Sequence, residues 1–398
     1  MSKDSSGHLK LNIVFLGESY LGGMAGSKRI QNLINSFLKI DTAYISNLII
    51  HDPNDLLPDR STGEKNAVKY EIISYNIKNP FSFFRFYLNA LNFLTKAKNK
   101  NSKNILYCYD NPTFFNYPIL WYAKKKNFKI VVDIVEDYSL AKSNKVSIKK
   151  AFLLNRQKKL LLKLPEYAAG VLAISTYLKN SLVEITKHKV PVMYLPATVN
   201  FSYFSNSHTL PSEKIKIFYG GSFGEKDGLL FLLSAFDELA IKHNKVELVF
   251  TGKPPKAGMK YVTDHISNSK YKDRIHYLGY LNDEEYYKVM NSCDIFCMTR
   301  VDSEYAHAGF PFKLGEMLAT GKPVIATNIS NVSDYLANKQ NAIIIQPSSV
   351  NEIVLAIEFV LTNPEGAANI GKEGRKTAMQ FFDTDVVIKD LNNFLIAI

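Results

Sequence analysis

Cysteine is scarce in this sequence: 398 residues hold three, Cys108, Cys293 and Cys297. Three thiols build neither a disulfide framework nor a zinc site. Two of them lie in the apolar run Cys293-Asp-Ile-Phe-Cys297, which reads as a buried strand. Reduced, structural thiols are therefore expected, as in a cytoplasmic protein. The eight histidines are scattered, without paired metal-ligand spacing or an H-E-x-x-H pattern, so no metal is expected. Long apolar runs are also missing. Nothing approaches the roughly 18 residues that a transmembrane helix needs. The polar start Met1–His8 and the short apolar run Ile13–Leu16 do not make a signal peptide. No repeat of 20–50 residues recurs, which excludes a solenoid.

What is present is a globular composition, 46% hydrophobic and 22% charged, in a chain long enough for two cores. The net charge of +12 is unevenly spread. Residues 1–200 hold 29 Lys and Arg against 14 Asp and Glu, a balance of +15, whereas residues 201–398 hold 20 against 23, a balance of −3. The basic half calls either for an anionic partner or for a solvated lysine-rich surface.

Short β-branched runs alternate with helical patterns nearly from end to end. Strands are expected at 11–16, 43–50, 105–109, 130–134, 170–174 and 192–195, and again at 215–219, 246–250, 275–278, 295–298, 323–326 and 342–345. Helices are expected at 29–38, 81–94, 117–126, 148–164, 176–185, 229–241, 283–290, 313–319 and 350–361, and the stretch His51–Ala67 reads as a long loop. Such alternation implies parallel sheets covered by helices, here in two doubly wound α/β domains. The break falls in the aperiodic, polar stretch Asn200–Glu213.

The strongest local pattern is Gly309-Phe-Pro-Phe-Lys-Leu-Gly-Glu-Met-Leu-Ala-Thr-Gly-Lys-Pro-Val-Ile-Ala-Thr327. It reads as a loop, a short helix, a glycine stop and a strand. A helix N-terminus suits a phosphate, and Lys313 in the first turn opposes the dipole unless an anion faces it. The same residues also fit an ordinary amphipathic helix. This segment resembles the donor-sugar segment of family 4 retaining nucleotide-sugar glycosyltransferases, the glycosyltransferase group 1 type, of GT-B fold. The family pattern is Glu-x7-Glu; the second Glu is Glu316, while Ala308 stands eight residues earlier at the place of the first. The resemblance implies that Glu316 binds the nucleotide ribose, with Phe310, Pro311, Phe312, Lys313 and Leu314 around the donor. His307, Glu304 or the 309–312 backbone would replace the missing carboxylate.

A second segment, Tyr219-Gly-Gly-Ser-Phe-Gly-Glu-Lys-Asp-Gly228, joins an expected strand to an expected helix. Glycines admit a diphosphate close to the backbone and a lysine neutralises it. In the family an Arg and a Lys grip the diphosphate here. Lys226 matches the Lys, but Gly221 stands where the Arg would be, so Lys313, Lys253 or Arg300 is expected to supply the second cation. Gly221 and Ser222 complete the donor loop. The third segment is Asp133-Ile-Val-Glu-Asp137 at a strand end. The resemblance places Glu136 opposite the reacting carbon with Asp137 beside it, so the implied catalytic set is Glu136, Lys226 and Glu316. The loop Gly17–Arg29 fits neither a Walker A nor a dinucleotide fingerprint. The family's first loop touches donor phosphate or acceptor, which carries to Gly22, Gly23 and Arg29. Asp383-Thr-Asp385 is expected to cap a helix rather than hold a metal.

The resemblance implies two Rossmann-like domains facing across a cleft. Residues 1–200, joined by a C-terminal helix at 381–398, would bind the acceptor, and residues 201–380 the donor. The expected function is transfer of a hexose-type sugar from a nucleotide diphosphate sugar to a glycan or lipid-linked acceptor in surface polysaccharide or glycoconjugate synthesis, without a metal or other cofactor. A nucleotide-sugar epimerase of the same architecture and a basic nucleic-acid-binding protein are the alternatives; no nucleic-acid recognition motif is present, so that partner is not expected. The segments 81–103 and 147–164 set lysines and arginines beside Phe and Leu, as basic amphipathic helices on anionic lipid do. The same pattern also arises when the apolar faces are domain core. An anionic membrane surface at the inner face of the plasma membrane is thus an expected partner.

Overall fold

Fourteen strands form two sheets in the computed structural model, which describes residues 10–21, 25–40, 43–51, 62–76, 79–137, 148–204, 213–224, 226–254 and 256–398. The chain divides into two units, Met1–Pro196 with Val387–Ile398, and Ala197–Val386.

The first unit contains β1 (Leu11–Gly17), β2 (Ala43–His51), β3 (Thr62–Lys65), β4 (Val68–Ser74), β5 (Lys103–Tyr109), β6 (Lys129–Ile134), β7 (Gly170–Ala173) and β8 (Val192–Tyr194). Their spatial order is β3-β4-β2-β1-β5-β6-β7-β8. All neighbours run parallel except β3, which forms an antiparallel hairpin with β4. The sequence β1, Leu-Asn-Ile-Val-Phe-Leu-Gly, is apolar almost throughout because helices cover a parallel sheet on both faces. The hairpin corrects the expectation of a loop over His51–Ala67, of which 52–61 lie outside the described residues. Its signal is weak because Thr-Gly-Glu-Lys is a polar edge strand, and the turn is Asn66-Ala67 at φ 49° and 63° instead of Asn-Gly.

The second unit contains β9 (Ile215–Gly220), β10 (Val246–Thr251), β11 (Ile275–Tyr277), β12 (Ile295–Met298), β13 (Val324–Thr327) and β14 (Ile343–Ile345). The order is β11-β10-β9-β12-β13-β14, all parallel. From β9 the chain winds outward through β10 and β11, then returns to β12 on the other side. That reversal makes a topological switch point between β9 and β12, where such sheets bind ligands at their carboxyl ends. In the first unit the same reversal lies between β1 and β5.

Leu232, Phe236 and Leu239 of the helix Leu229–Lys242 and Ile353 and Ile357 of Val350–Thr362 share one core with β9 and β10. The last helix, Thr384–Ala397, returns Leu391 and Leu395 to the first unit's core beside Leu11 and Ile13. Lys103 Nζ donates to its Ile396 carbonyl at 2.7 Å. The helix Pro364–Phe381 escapes sequence reading because Pro364, Gly366, Gly371 and Gly374 interrupt its pattern. Two of these glycines permit close packing: a Cβ on Gly371 would lie 2.5 Å from the Gly321 carbonyl oxygen, and one on Gly374 2.6 Å from that of Asn341.

All three cysteines are buried and free. Burial, with a smaller push from nearby carboxylates, raises the Cys108 thiol to about 12, and burial raises Cys293 to about 11. A thiol whose folded pKa is raised stabilises the fold in its protonated form. That contribution is complete below the unfolded value of about 8.5 and is lost as pH rises towards the folded value. The urea midpoint is expected to hold between pH 6 and 8 and to fall between pH 9 and 11. At pH 8 the native chain is expected to leave a disulfide thiol reagent unconsumed until urea is added; immediate reaction of all three thiols would contradict the burial.

Candidate active site

The switch point of the second unit is built from the exit of β9. Gly221 N–H donates to the Thr251 carbonyl at 3.1 Å, continuing the ladder with β10 by one residue. The chain then folds around Asp227, whose Oδ2 accepts from Ser222 N–H (3.2 Å), Ser222 Oγ (2.6 Å) and Gly224 N–H (3.0 Å). Gly228 follows in the left-handed region at φ 66° and caps the helix Leu229–Lys242. Only glycine fits, since a Cβ there would lie 1.8 Å from the Thr299 carbonyl oxygen. Thr299 Oγ1 donates to the Gly228 carbonyl at 3.2 Å, and Val301 N–H to the Lys226 carbonyl at 3.1 Å. The loop after β9 and the exit of β12 are thereby stitched together.

Lys313 reaches the same place from the helix Phe312–Ala319. Pro311 is the N-cap and offers no side-chain acceptor, so the first-turn amides have no side-chain cap. Gly315 lets this helix approach closely, because a Cβ would stand 2.7 Å from Val199. The Lys313 stem crosses Gly220, with its Cδ 3.1 Å from where a Cβ would be. Its Nζ donates to the Tyr286 hydroxyl at 3.0 Å and lies 4.1 Å from that ring's centroid. Tyr286 in turn donates to Glu316 Oε2 at 3.1 Å, and Tyr287 to Oε1 at 2.8 Å.

Glu316 is only 7% exposed, and each of its oxygens already has a phenol donor. Both tyrosines come from the helix Asp283–Asn291, which begins with a capping box of Asn282 and Glu285. Tyr287 also stacks on Tyr203, with centroids 4.2 Å apart and planes 8° from parallel. Burial first, and then the Glu316 charge, hold both phenols well above their ordinary range, so they remain donors at neutral pH. The result is a pre-set chain from Lys313 through Tyr286 to Glu316.

The other expected donor residues take several places. Gly221 and Ser222 lie in the loop after β9, but the Ser222 hydroxyl is engaged by Asp227. Lys226 is half-buried, with its Nζ 4.2 Å from the centroid of Tyr305. Lys253 is exposed just beyond Gly252, where a Cβ would lie 1.8 Å from the Gly221 carbonyl oxygen. Its loop therefore abuts the β9 exit. Arg300 is buried and donates to the carbonyls of Ala306 (3.2 Å) and Gly309 (3.4 Å), which shapes the 304–309 turn. Phe310 is buried 5.6 Å from Phe382 and 6.2 Å from Tyr335, centroid to centroid. Its side chain belongs to the core, as does that of Leu314, whose N–H donates to the Pro311 carbonyl at 2.9 Å. Pro311 is buried and Phe312 half-buried.

Ala308 is buried at the place of the missing carboxylate. Nearby, His307 Nδ1 accepts from Ser330 N–H at 3.2 Å, so its proton sits on Nε2, 2.8 Å from Asp302 Oδ1. The sequence reading passed over Asp227, Tyr286, Tyr287, Thr299 and Tyr305. Of these, only Asp227 carries a local signal, as an aspartate placed to accept from the turn preceding it.

In the first unit, Gly22 and Gly23 lie outside the described residues. Arg29 requires a correction: it is fully buried and bound bidentately to Asp133, with Nε–Oδ2 2.7 Å and an NH2–Oδ1 distance of 3.0 Å. Its remaining donors reach the carbonyls of Pro196 (2.7 Å) and Leu195 (3.0 Å). With four of its five N–H groups engaged inside the fold, this guanidinium is a buried structural tie. Glu136 and Asp137 follow β6, half-buried, with Asn111 donating to the Glu136 carbonyl at 2.6 Å.

Comparison with known proteins agrees with this geometry. The family model described as "Glycosyl transferases group 1" matches residues 201–377. The uncharacterized glycosyltransferase YqgM of Bacillus subtilis is 25% identical over 213 residues, which is 53% of this chain and 56% of that protein. The matched segment thus spans little more than half the length of the curated relatives. Among solved structures, sucrose-phosphate synthase of Thermosynechococcus elongatus has a TM-score of 0.75 at 14% identity, covering 96% of this chain and 98% of that one. HepE of Anabaena in complex with UDP-glucose has a TM-score of 0.71 at 14% identity, covering 98% and 100%. These likenesses establish the GT-B fold. The glycine loop after β9, Lys226, Lys313 and Glu316 all lie inside the segment 201–377 that matches the glycosyl transferases group 1 model.

Proposed function

We propose that this chain is a metal-independent, retaining family 4 glycosyltransferase. It moves a hexose-type sugar from a nucleotide diphosphate sugar to a glycan or lipid-linked acceptor, in the cytoplasm at an anionic membrane surface, and serves surface polysaccharide or glycoconjugate synthesis. The observation that carries this reading is the meeting, at the β9–β12 switch point, of a glycine loop holding Lys226 with Lys313 laid across Gly220. As the bond from the anomeric carbon to the diphosphate breaks, negative charge grows on the leaving oxygen. Cations fixed there in advance lower the barrier without reorganising. The two lysines and the uncapped helix start supply that charge, which is why no metal is assigned. Glu316, pre-oriented by two phenols, keeps lone pairs for ribose hydroxyls, and the Anabaena relative solved with UDP-glucose supports a nucleotide sugar as donor.

The test is a thermal-shift screen against UDP, GDP, ADP and their sugars, followed by turnover with chelator present. A nucleotide at 100 times its dissociation constant is expected to stabilise by about 2.7 kcal/mol. Turnover is expected to release free nucleoside diphosphate and to retain the anomeric configuration. A product in which an altered sugar remains attached to the nucleotide would replace this reading with an epimerase.

A further inference from the structure

The first unit presents an aromatic and basic face that its own core does not use. Phe81, Phe84 and Leu88 lie at i, i+3 and i+7 of the helix Pro80–Ala97, which puts them on one stripe, and all three are exposed, Phe81 by 83%. The opposite side of that helix buries Phe86, Ala90 and Leu94. Trp121, 51% exposed on the helix Tyr117–Lys125, has Lys125 Nζ 3.7 Å from its ring centroid. The two helices are tied by Thr95 Oγ1 and the Tyr122 hydroxyl at 3.0 Å. A third helix, Ile148–Leu162, joins through Arg156, whose guanidinium lies 4.6 Å from the Phe152 ring and 5.1 Å from that of exposed Phe114. The Phe114–Phe115 segment is held in turn by the Tyr87 hydroxyl, which donates to the Phe115 carbonyl at 3.1 Å.

The third helix is the most telling. From Ala151 to Leu162 every residue is exposed or half-buried, including Phe152, Leu153 and Leu162. Among the described residues none of 151–162 is fully buried; the half-buried Leu154, Gln157, Leu160 and Leu161 share one side, so packing holds this helix only weakly. The exposed Phe152, Leu153 and Leu162 are left for a partner outside the unit's core. The charge of these helices selects that partner: together their sequences carry nine lysines and arginines and no aspartate or glutamate.

We propose that these three helices form the surface by which the chain docks on an anionic lipid bilayer, with Phe81, Phe84, Leu88 and Trp121 entering the headgroup boundary. The purpose of the docking rests on the reading above of an acceptor carried at a membrane. Exposed Leu and Phe beside lysines match the interfacial mode, in which burial of apolar groups and attraction to anionic headgroups act together. Among the described residues no helix is long and apolar enough to cross a membrane, so this mode is surface attachment.

The chain carries one tryptophan, and it lies on this face, so the native protein reports its own docking. With phosphatidylglycerol-containing vesicles the Trp121 emission is expected to shift to the blue and to be quenched by lipids brominated near the headgroup. Both effects are expected to be absent with phosphatidylcholine vesicles and to weaken as salt is raised. The variant F81S/F84S/L88S is expected to lower vesicle partitioning on the order of a hundredfold, from the apolar transfer lost. Its thermal stabilisation by nucleotide is expected to be unchanged, which also shows that it folds. An unshifted emission, wild-type partitioning by the triple variant, or a larger response to mixed-sequence RNA than to vesicles would overturn the proposal. Vesicle binding without any nucleotide response would instead leave the docking intact and remove the glycosyltransferase reading.

Discussion

Lys313→Ala and Lys226→Ala are each expected to lower kcat/KM for the nucleotide sugar by about 30–150-fold, the equivalent of one charge-assisted hydrogen bond of about 2–3 kcal/mol. The two losses have different structural sources. Lys313 is held by the Tyr286 hydroxyl and the Gly220 backbone, so its ammonium is placed before the donor arrives. Tyr286→Phe removes that placement but keeps the charge, and a smaller loss of about three- to tenfold is expected. Lys226 rests on the Tyr305 ring in a loop fixed by Gly228 against Thr299. Its removal takes away a cation while the loop keeps its shape. Steady-state kinetics with thermal melts of each variant check both effects. Wild-type kcat/KM in Lys226→Ala would remove that residue from the site.

Asp133→Ala is expected to destabilise the first unit by about 3–5 kcal/mol, because the substitution leaves a fully buried guanidinium without its counter-charge. Burial alone pulls the Arg29 guanidinium down, and the Asp133 carboxylate more than reverses this, holding it above its ordinary value. Tyr107 adds a third tie, donating to Asp133 Oδ2 at 2.6 Å. Tyr107→Phe is expected to cost about 1–3 kcal/mol, since the carboxylate keeps Arg29 but loses a donor. Replacing both partners with apolar residues, as in R29M/D133L, is expected to recover much of the loss. Urea denaturation of the three variants measures these terms. A cost below about 1 kcal/mol for Asp133→Ala would mean that water reaches Arg29 in the fold.

The same pair shows where the sequence stops being legible. The family resemblance carries a donor-phosphate or acceptor contact to Arg29, yet its partner in the fold lies 104 positions away and the pairing leaves no local trace. Tyr286 and Tyr287 are equally silent, because they meet Glu316 only when two helices about 30 residues apart pack together. The elements that were legible have local causes. β-branched runs alternate with helical stretches because parallel strands are buried on both faces. The glycine loop after β9 and the segment around Lys313 are also continuous in sequence, so the family resemblance could be read from their order of residues alone. The β3–β4 hairpin was missed for the opposite reason: a polar edge strand and an Asn-Ala turn look like loop until the sheet is assembled.

The dense positive charge of residues 1–200 takes on a structural meaning as well. Part of it is internal, as Arg29 demonstrates. Another part gathers on three helices that carry no carboxylate. In residues 201–398, where the overall balance is −3, Lys226 and Lys313 are a local arrangement at the switch point.

Calorimetric titration of the wild-type chain and the K226A/K313A variant with nucleoside diphosphates, in chelator, tests the central claim most directly. The account predicts that one of UDP, GDP or ADP binds the wild type and that the double variant loses that binding while melting within a few degrees of it. Binding of equal strength in both proteins, or none to the folded wild type by any of the three, would contradict it.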